Sequence, residues 1–127
     1  MGASSRNKGA NGERELIREI EAETGIRLER NLAQSFGGGH DLIGLDYWAI
    51  ECKRYAMITN ADKAVFWAQA VKQARRVAKM PAVCFRADRG PWRVLVAYPG
   101  DLFDLDDFRC TGEISLELFC GLIRESL

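Results

Sequence analysis

Two apolar runs, residues 42–45 and 47–52, are separated by the single residue Asp46, and charged side chains stand beside or inside them at Asp41, Glu51 and Lys53. Short apolar runs split by one polar residue read as a hairpin. With the turn centred on Asp46, Asp41 falls directly opposite Glu51, and residues opposite each other in antiparallel pairing share a face. Glu51 and Lys53 are two apart on one strand, so they share that face while Cys52 points to the other. All three charged groups can therefore converge at one end of the hairpin. Two facing carboxylates repel, and each then favours its protonated form. A divalent cation removes the conflict, and Mg2+ takes one or two carboxylates together with waters and phosphate oxygens. The same spacing also describes the wet face of an ordinary half-buried strand, so the rest of the chain has to decide.

Upstream, Leu16, Ile17, Ile20 and Ala22 recur at helical spacing between charges, and Thr24-Gly25 supplies a stop, which predicts a helix over 11–24 behind a flexible arm at 1–7. Residues 26–30 alternate as a short strand, and 31–40, with three consecutive glycines, read as a loop. Downstream, 61–79 is an amphipathic helix with Val65, Trp67 or Ala68, Val71 and Ala74 or Ala78 on one side and Lys72, Arg75, Arg76 and Lys79 around the other. Pro81 ends it. Strands over 82–87 and 92–98 are joined by the turn Asp88-Arg89-Gly90-Pro91, and 101–108 and 115–126 read as helices. The order αββ(β)αββαα describes an α/β or α+β domain with one mixed sheet flanked by helices, spanning 1–127 without internal repeat.

A chain of 127 residues with 47% hydrophobic content suffices for one packed core. No apolar run reaches membrane-spanning length and the N-terminus lacks a signal-peptide centre, so a cytoplasmic location is expected and a membrane is not. Cys52, Cys84, Cys110 and Cys120 lack the clustered spacing of a zinc ribbon or disulfide framework and are expected to be reduced and mostly buried. The formal net charge is zero, yet residues 47–100 hold ten Lys/Arg against three Asp/Glu, whereas 1–46 hold six against eight and 101–127 two against seven. Such segregation gives either a locally positive surface on a neutral molecule or merely a solvated clustering of charge with no partner.

Asp41 followed by Glu51-Cys52-Lys53 resembles the PD-(D/E)xK nuclease motif. The likeness extends to archaeal-type Holliday-junction resolvases and small phage endonucleases of that superfamily, over about residues 8 to 98. Their opening pattern KGxxxERELI is matched by Lys8-Gly9 and Glu13-Arg14-Glu15-Leu16-Ile17, their loop Arg and Ser by Arg30 and Ser35, and their helix glutamine and proline-led strand by Gln69 and Pro81. Two features depart from the pattern: His40 replaces the usual proline before the aspartate, and the acidic segment 101–127 has no counterpart.

The resemblance implies a restriction-endonuclease-like fold and a Mg2+-dependent endodeoxyribonuclease, with Mn2+ able to substitute, acting on branched DNA as a homodimer in the cytoplasm, or the host cytoplasm if phage-encoded. Glu13, Asp41, Glu51, Lys53 and Gln69 would be catalytic, and Asp41, Glu51, the Cys52 carbonyl and Glu13 would hold the metal. Arg6, Lys8, Arg30, Ser35, His40, Arg54, Lys72, Arg75 and Arg76 are the DNA-contact candidates. Gln73, one turn from Gln69, could face the site in its place. His40 could donate to phosphate, bind metal or orient its loop. The apolar C-terminal stretch of Leu116, Leu118, Phe119, Leu122 and Ile123 is either a dimer face or part of the core. Two alternatives stay open: a non-catalytic DNA-binding or inhibitor protein on the same fold, and a nicking or flap endonuclease.

Overall fold

A computed structural model describes residues 2–32, 39–98 and 104–127, with side chains from Gly9 onward. The elements are α1 (Gly2–Thr24), β1 (Glu29–Arg30), β2 (Leu42–Ile43), β3 (Trp48–Tyr55), α2 (Asn60–Arg76), β4 (Met80–Ala87), β5 (Arg93–Ala97), a 3-10 turn at Phe108–Cys110, β6 (Thr111–Ser115) and α3 (Leu116–Glu125). The strands form one six-stranded sheet in sequential order β1 to β6. Only β3 and β4 run parallel; the other neighbours are antiparallel. A parallel pair needs a long crossover, and α2 provides it.

Each sheet face carries its own core. On one, Leu16 and Ile20 of α1 and Phe119 and Ile123 of α3 pack with Ile50, Cys52, Cys84 and Val94. On the other, Phe66, Trp67, Ala70 and Val71 of α2 pack with Val83, Phe85 and Leu95. Strand alternation makes this possible: Val83 and Cys84, or Val94 and Leu95, are neighbours in the chain but face opposite layers. The start of α2 is fixed by a reciprocal cap, in which Thr59 Oγ1 accepts from the Asp62 amide (3.1 Å) and the Asp62 carboxylate accepts from the Thr59 amide (2.8 Å). Cys52, Cys84 and Cys120 are free thiols and buried.

Several elements differ from the sequence reading. Helix α1 begins at Gly2, ahead of the start at residue 11 that the apolar pattern predicts. The apolar pattern marks only the part of this helix that packs. Helix α2 ends at Arg76 rather than at residue 79, and buries Phe66 while Val65 is exposed. Asp104 to Asp107 are not helical, and β6, absent from the sequence reading, follows the 3-10 turn. Leu116, Phe119 and Ile123 belong to the core, so of the C-terminal apolar stretch only Leu118 and Leu122 are exposed. Among the described residues, no helix is long and apolar enough to cross a membrane.

The contact that brings α1 to the site is made at Gly12, where an added Cβ would lie 2.7 Å from Arg54 Cβ on β3. An alanine there gains about 1 kcal/mol of helix propensity. Overpacking against a strand root costs about 1–3 kcal/mol, and the second effect should win. Gly12→Ala is expected to lower the urea midpoint, whereas Gly9→Ala, which meets nothing within 4 Å, should hold or raise it. Equal effects of the two substitutions would show that α1 is not seated on β3 at Gly12.

Candidate active site

The β2–β3 register pairs Leu42 with Ile50, which sets Asp41 across from Glu51 as the centring on Asp46 requires. The Asp41 amide donates to the Ile50 carbonyl at 2.9 Å, and the Cys52 amide donates to Asp41 Oδ2 at 2.6 Å. Asp41 thus has one carboxylate oxygen fixed by backbone. Glu51, only 5% exposed, has its Oε1 buried without a hydrogen-bond partner. Burial first, then repulsion by Asp41 and a hydrogen bond shared with it, push the Glu51 carboxyl up to about 8; Lys53 pulls the other way and Glu13 adds to the rise.

Glu13 enters from α1 and is buried, with Arg30 Nε of β1 donating to its Oε1 at 2.7 Å. Burial raises its carboxyl, the Arg30 bond opposes the rise, and Asp41 adds to it. Lys53 lies on the Glu51 side of β3; its Nζ donates to Gln69 Oε1 at 2.9 Å and sits 5.3 Å from the Phe66 ring centroid, so α2 holds the ammonium in place. Cys52 turns into the opposite core, leaving only its backbone to the site.

The loop leading into Asp41 is pinned by residues that motif spacing does not single out. Asn31 Nδ2 donates to the His40 carbonyl (2.9 Å) and the Asn31 amide to the Asp41 carbonyl (2.8 Å). The Gly39 amide donates to Gln73 Oε1 at 2.6 Å. Gln69 and Gln73, one turn apart, therefore divide the work: one holds the lysine, the other the loop. Asn31 carries no sequence signal beyond its place between a strand and a glycine-rich loop. His40 is buried with neither ring nitrogen hydrogen-bonded, and its pKa is lowered by burial and by Lys79, with Asp41 opposing.

The remaining cations disperse. Arg54 faces away from Lys53 and bonds Asp88 at 2.6 Å. Lys72, Arg75 and Arg76 are exposed on α2, with Arg75 paired to Asp106 at 2.8 Å. The side chains of Arg6 and Lys8, and the whole of Ser35, lie outside the described residues. Among the described residues no three His, Cys, Asp or Glu side chains form a ready-made metal cage. The donor set still suits a cation that keeps its own waters: two facing carboxylates, one with an orphaned buried oxygen and a carboxyl raised by the other.

A mixed sheet that sets an aspartate across from Glu-x-Lys, with a glutamate brought in by the first helix, defines a PD-(D/E)xK-type nuclease. The family model described as phage putative PDDEXK endonuclease matches residues 4–111, and the chain belongs to that family. No curated protein matches it in sequence. The structure of Hjc from Archaeoglobus fulgidus, a Holliday junction resolvase from an archaeal hyperthermophile, is similar with a TM-score of 0.55, covering 87% of this chain and 97% of that one. At 18% identity the likeness is one of fold.

The carboxylate pair makes stability depend on pH. The folded Glu51 carboxyl keeps its proton to about pH 8, whereas a glutamate at its ordinary value releases it near 4.5. The folded state therefore binds more protons between these values, and metal-free stability should be full below the lower value and fall as pH rises through the upper one. Glu51→Gln removes this titration. In EDTA the variant should be more stable than the parent at pH 8, by on the order of a few kcal/mol at about 1.4 kcal/mol per pKa unit, and equal to it near pH 4. Parallel melting curves for the two proteins across that range would contradict the placement of Glu51.

Proposed function

We propose that this nuclease is a Mg2+-dependent endodeoxyribonuclease that hydrolyses phosphodiester bonds in branched DNA, in the manner of a Holliday-junction resolvase. The observation that carries the metal-dependent reading is the buried opposition of Asp41 and Glu51 with Lys53 on the same face of the hairpin. Asp41, Glu51 and the Cys52 carbonyl would hold Mg2+, or Mn2+ in its place, and Glu13 would add a further carboxylate directly or through water. The bound ion would supply an acidified water and offset charge on the phosphate.

The chain's own groups do the rest. Lys53, oriented by Gln69, places positive charge where a phosphate would meet the carboxylates, so it acts on charge that develops during attack. Arg30 restrains Glu13 and would release part of that restraint to an incoming phosphate. His40, buried and without a hydrogen-bonded ring nitrogen, would shape the loop that delivers Asp41. Lys72, Arg75 and Arg76 would hold backbone phosphates, which gives affinity without reading sequence. The Arg75–Asp106 pair is solvent-exposed and therefore weak, so a phosphate can displace it. Paired cuts at a junction need two sites related by symmetry, and Leu118 and Leu122, exposed apolar positions on α3, would supply a homodimer face.

Purified protein is expected to cleave four-way junctions in Mg2+ and to be silent in excess EDTA. Lys53→Ala should lower the rate by on the order of 10²-fold or more with affinity nearly intact, since one phosphate-facing charge among several contributes little to binding. Cleavage that survives EDTA, or a Lys53→Ala variant that loses rate and affinity in equal proportion, would overturn the active-site assignment.

A further inference from the structure

The strand face that carries Glu51 and Lys53 continues to Tyr55. The Tyr55 ring lies on that of Phe66 in α2, centroids 5.4 Å apart and planes 18° from parallel, and Lys53 Nζ sits over the same Phe66 ring at 5.3 Å. Phe66 is 7% exposed, but Tyr55 is 45% exposed. With its inner face against Phe66, the accessible part of the tyrosine is its outer face and edge. Burial accounts for Phe66. It does not account for a half-exposed aromatic as its cover, directly beside the ammonium of the site. Lys53 Nζ and the Tyr55 ring both lie against the Phe66 ring, 5.3 Å and 5.4 Å from its centroid, which places the tyrosine within a nucleotide or two of a phosphate held at Lys53. Arg54, between them in sequence, points to the opposite side and is bonded to Asp88.

We propose that Tyr55, backed by Phe66, is a stacking platform for an unstacked nucleobase of DNA next to the phosphate at Lys53, so that the site selects phosphates beside branch points, gaps or frayed ends over those in continuous duplex. The inference rests on the nuclease reading above and specifies its substrate class. Within continuous duplex both faces of each base are covered by neighbours, and the platform has nothing to receive. At a branch a face is open. Base–aromatic stacking tolerates any sequence because every base has a π-face, which suits a site selecting for DNA structure. Phe66 sets the ring's plane and Lys53 sets the distance to the backbone, so the selection is built from the same two elements, β3 and α2, that hold the lysine.

Binding to labelled forked DNA and to linear duplex of equal length, measured by fluorescence anisotropy in Ca2+ to limit turnover, tests this. Tyr55→Phe should match the parent on both probes. Tyr55→Leu, which still covers Phe66, should lose about tenfold on the fork, within the range for one stacked base, and nothing on the duplex; urea melts of both variants check that the fold is kept. Equal loss on the two probes, no loss on the fork, or a Tyr55→Phe variant as weak as Tyr55→Leu each overturns the platform. Fork preference that depends on Tyr55 in a protein that cleaves nothing in Mg2+ supports the platform and overturns the nuclease reading. Cleavage by the parent with no effect of Tyr55→Leu on the fork does the reverse, and absence of DNA binding overturns both.

Discussion

The opposition of Asp41 and Glu51 across the β2–β3 hairpin is an unfavourable interaction that the remaining structure is arranged to maintain. Like charges taken out of water raise each other's cost of ionisation, and a hairpin free to slip by one residue would send the two carboxylates to opposite faces. The register is held by the Asp41 amide on Ile50, by the Cys52 amide on the Asp41 carboxylate, and by the apolar side chains of Leu42, Ile50 and Cys52 on the opposite face. Backbone and core thus fix a local conflict in place, as is usual where residues serve chemistry rather than stability.

Both helical layers reach this point, by different means. Helix α1 comes close enough through Gly12 that Glu13, the next residue, is buried near the carboxylates and tied to Arg30. Helix α2 contributes two glutamines one turn apart, one to the lysine and one to the loop. The parallel pairing of β3 with β4, Glu51 against Val83 and Lys53 against Phe85, makes the strand under the site an interior one. On the β4 side its backbone is paired along its whole length, which limits how far the side chains can drift.

The hairpin register was legible because a single polar residue separates two apolar runs, so the centre of the turn fixes every pairing. The face of Lys53 followed from period two, and the same rule places Arg54 on the other side, against a role for it at the Lys53 face. Other features left no local trace. The first turns of α1 have no apolar stripe to reveal them, and β6 reads Thr-Gly-Glu-Ile-Ser, with a glycine packed against Tyr98 in place of an alternating pattern. The partners of Arg30, Arg54 and Arg75 lie 17, 34 and 31 positions away. Spacing identifies which cations exist, but only the fold shows which acids already hold them.

That prior engagement bears on how the molecule meets a polyanion. Glu113 of β6 takes both Lys63 and Arg93, and Asp106 takes Arg75, so the acidic C-terminal portion occupies part of the basic surface that residues 47–100 supply. A phosphate that displaces such a carboxylate exchanges one protein-bound anion for another and releases few counterions. The steepness with which binding weakens in salt reports released counterions. It would therefore count the cations with no acid of their own, fewer than the sequence holds, and the chain's zero net charge would be felt as gentle salt sensitivity rather than as absence of affinity.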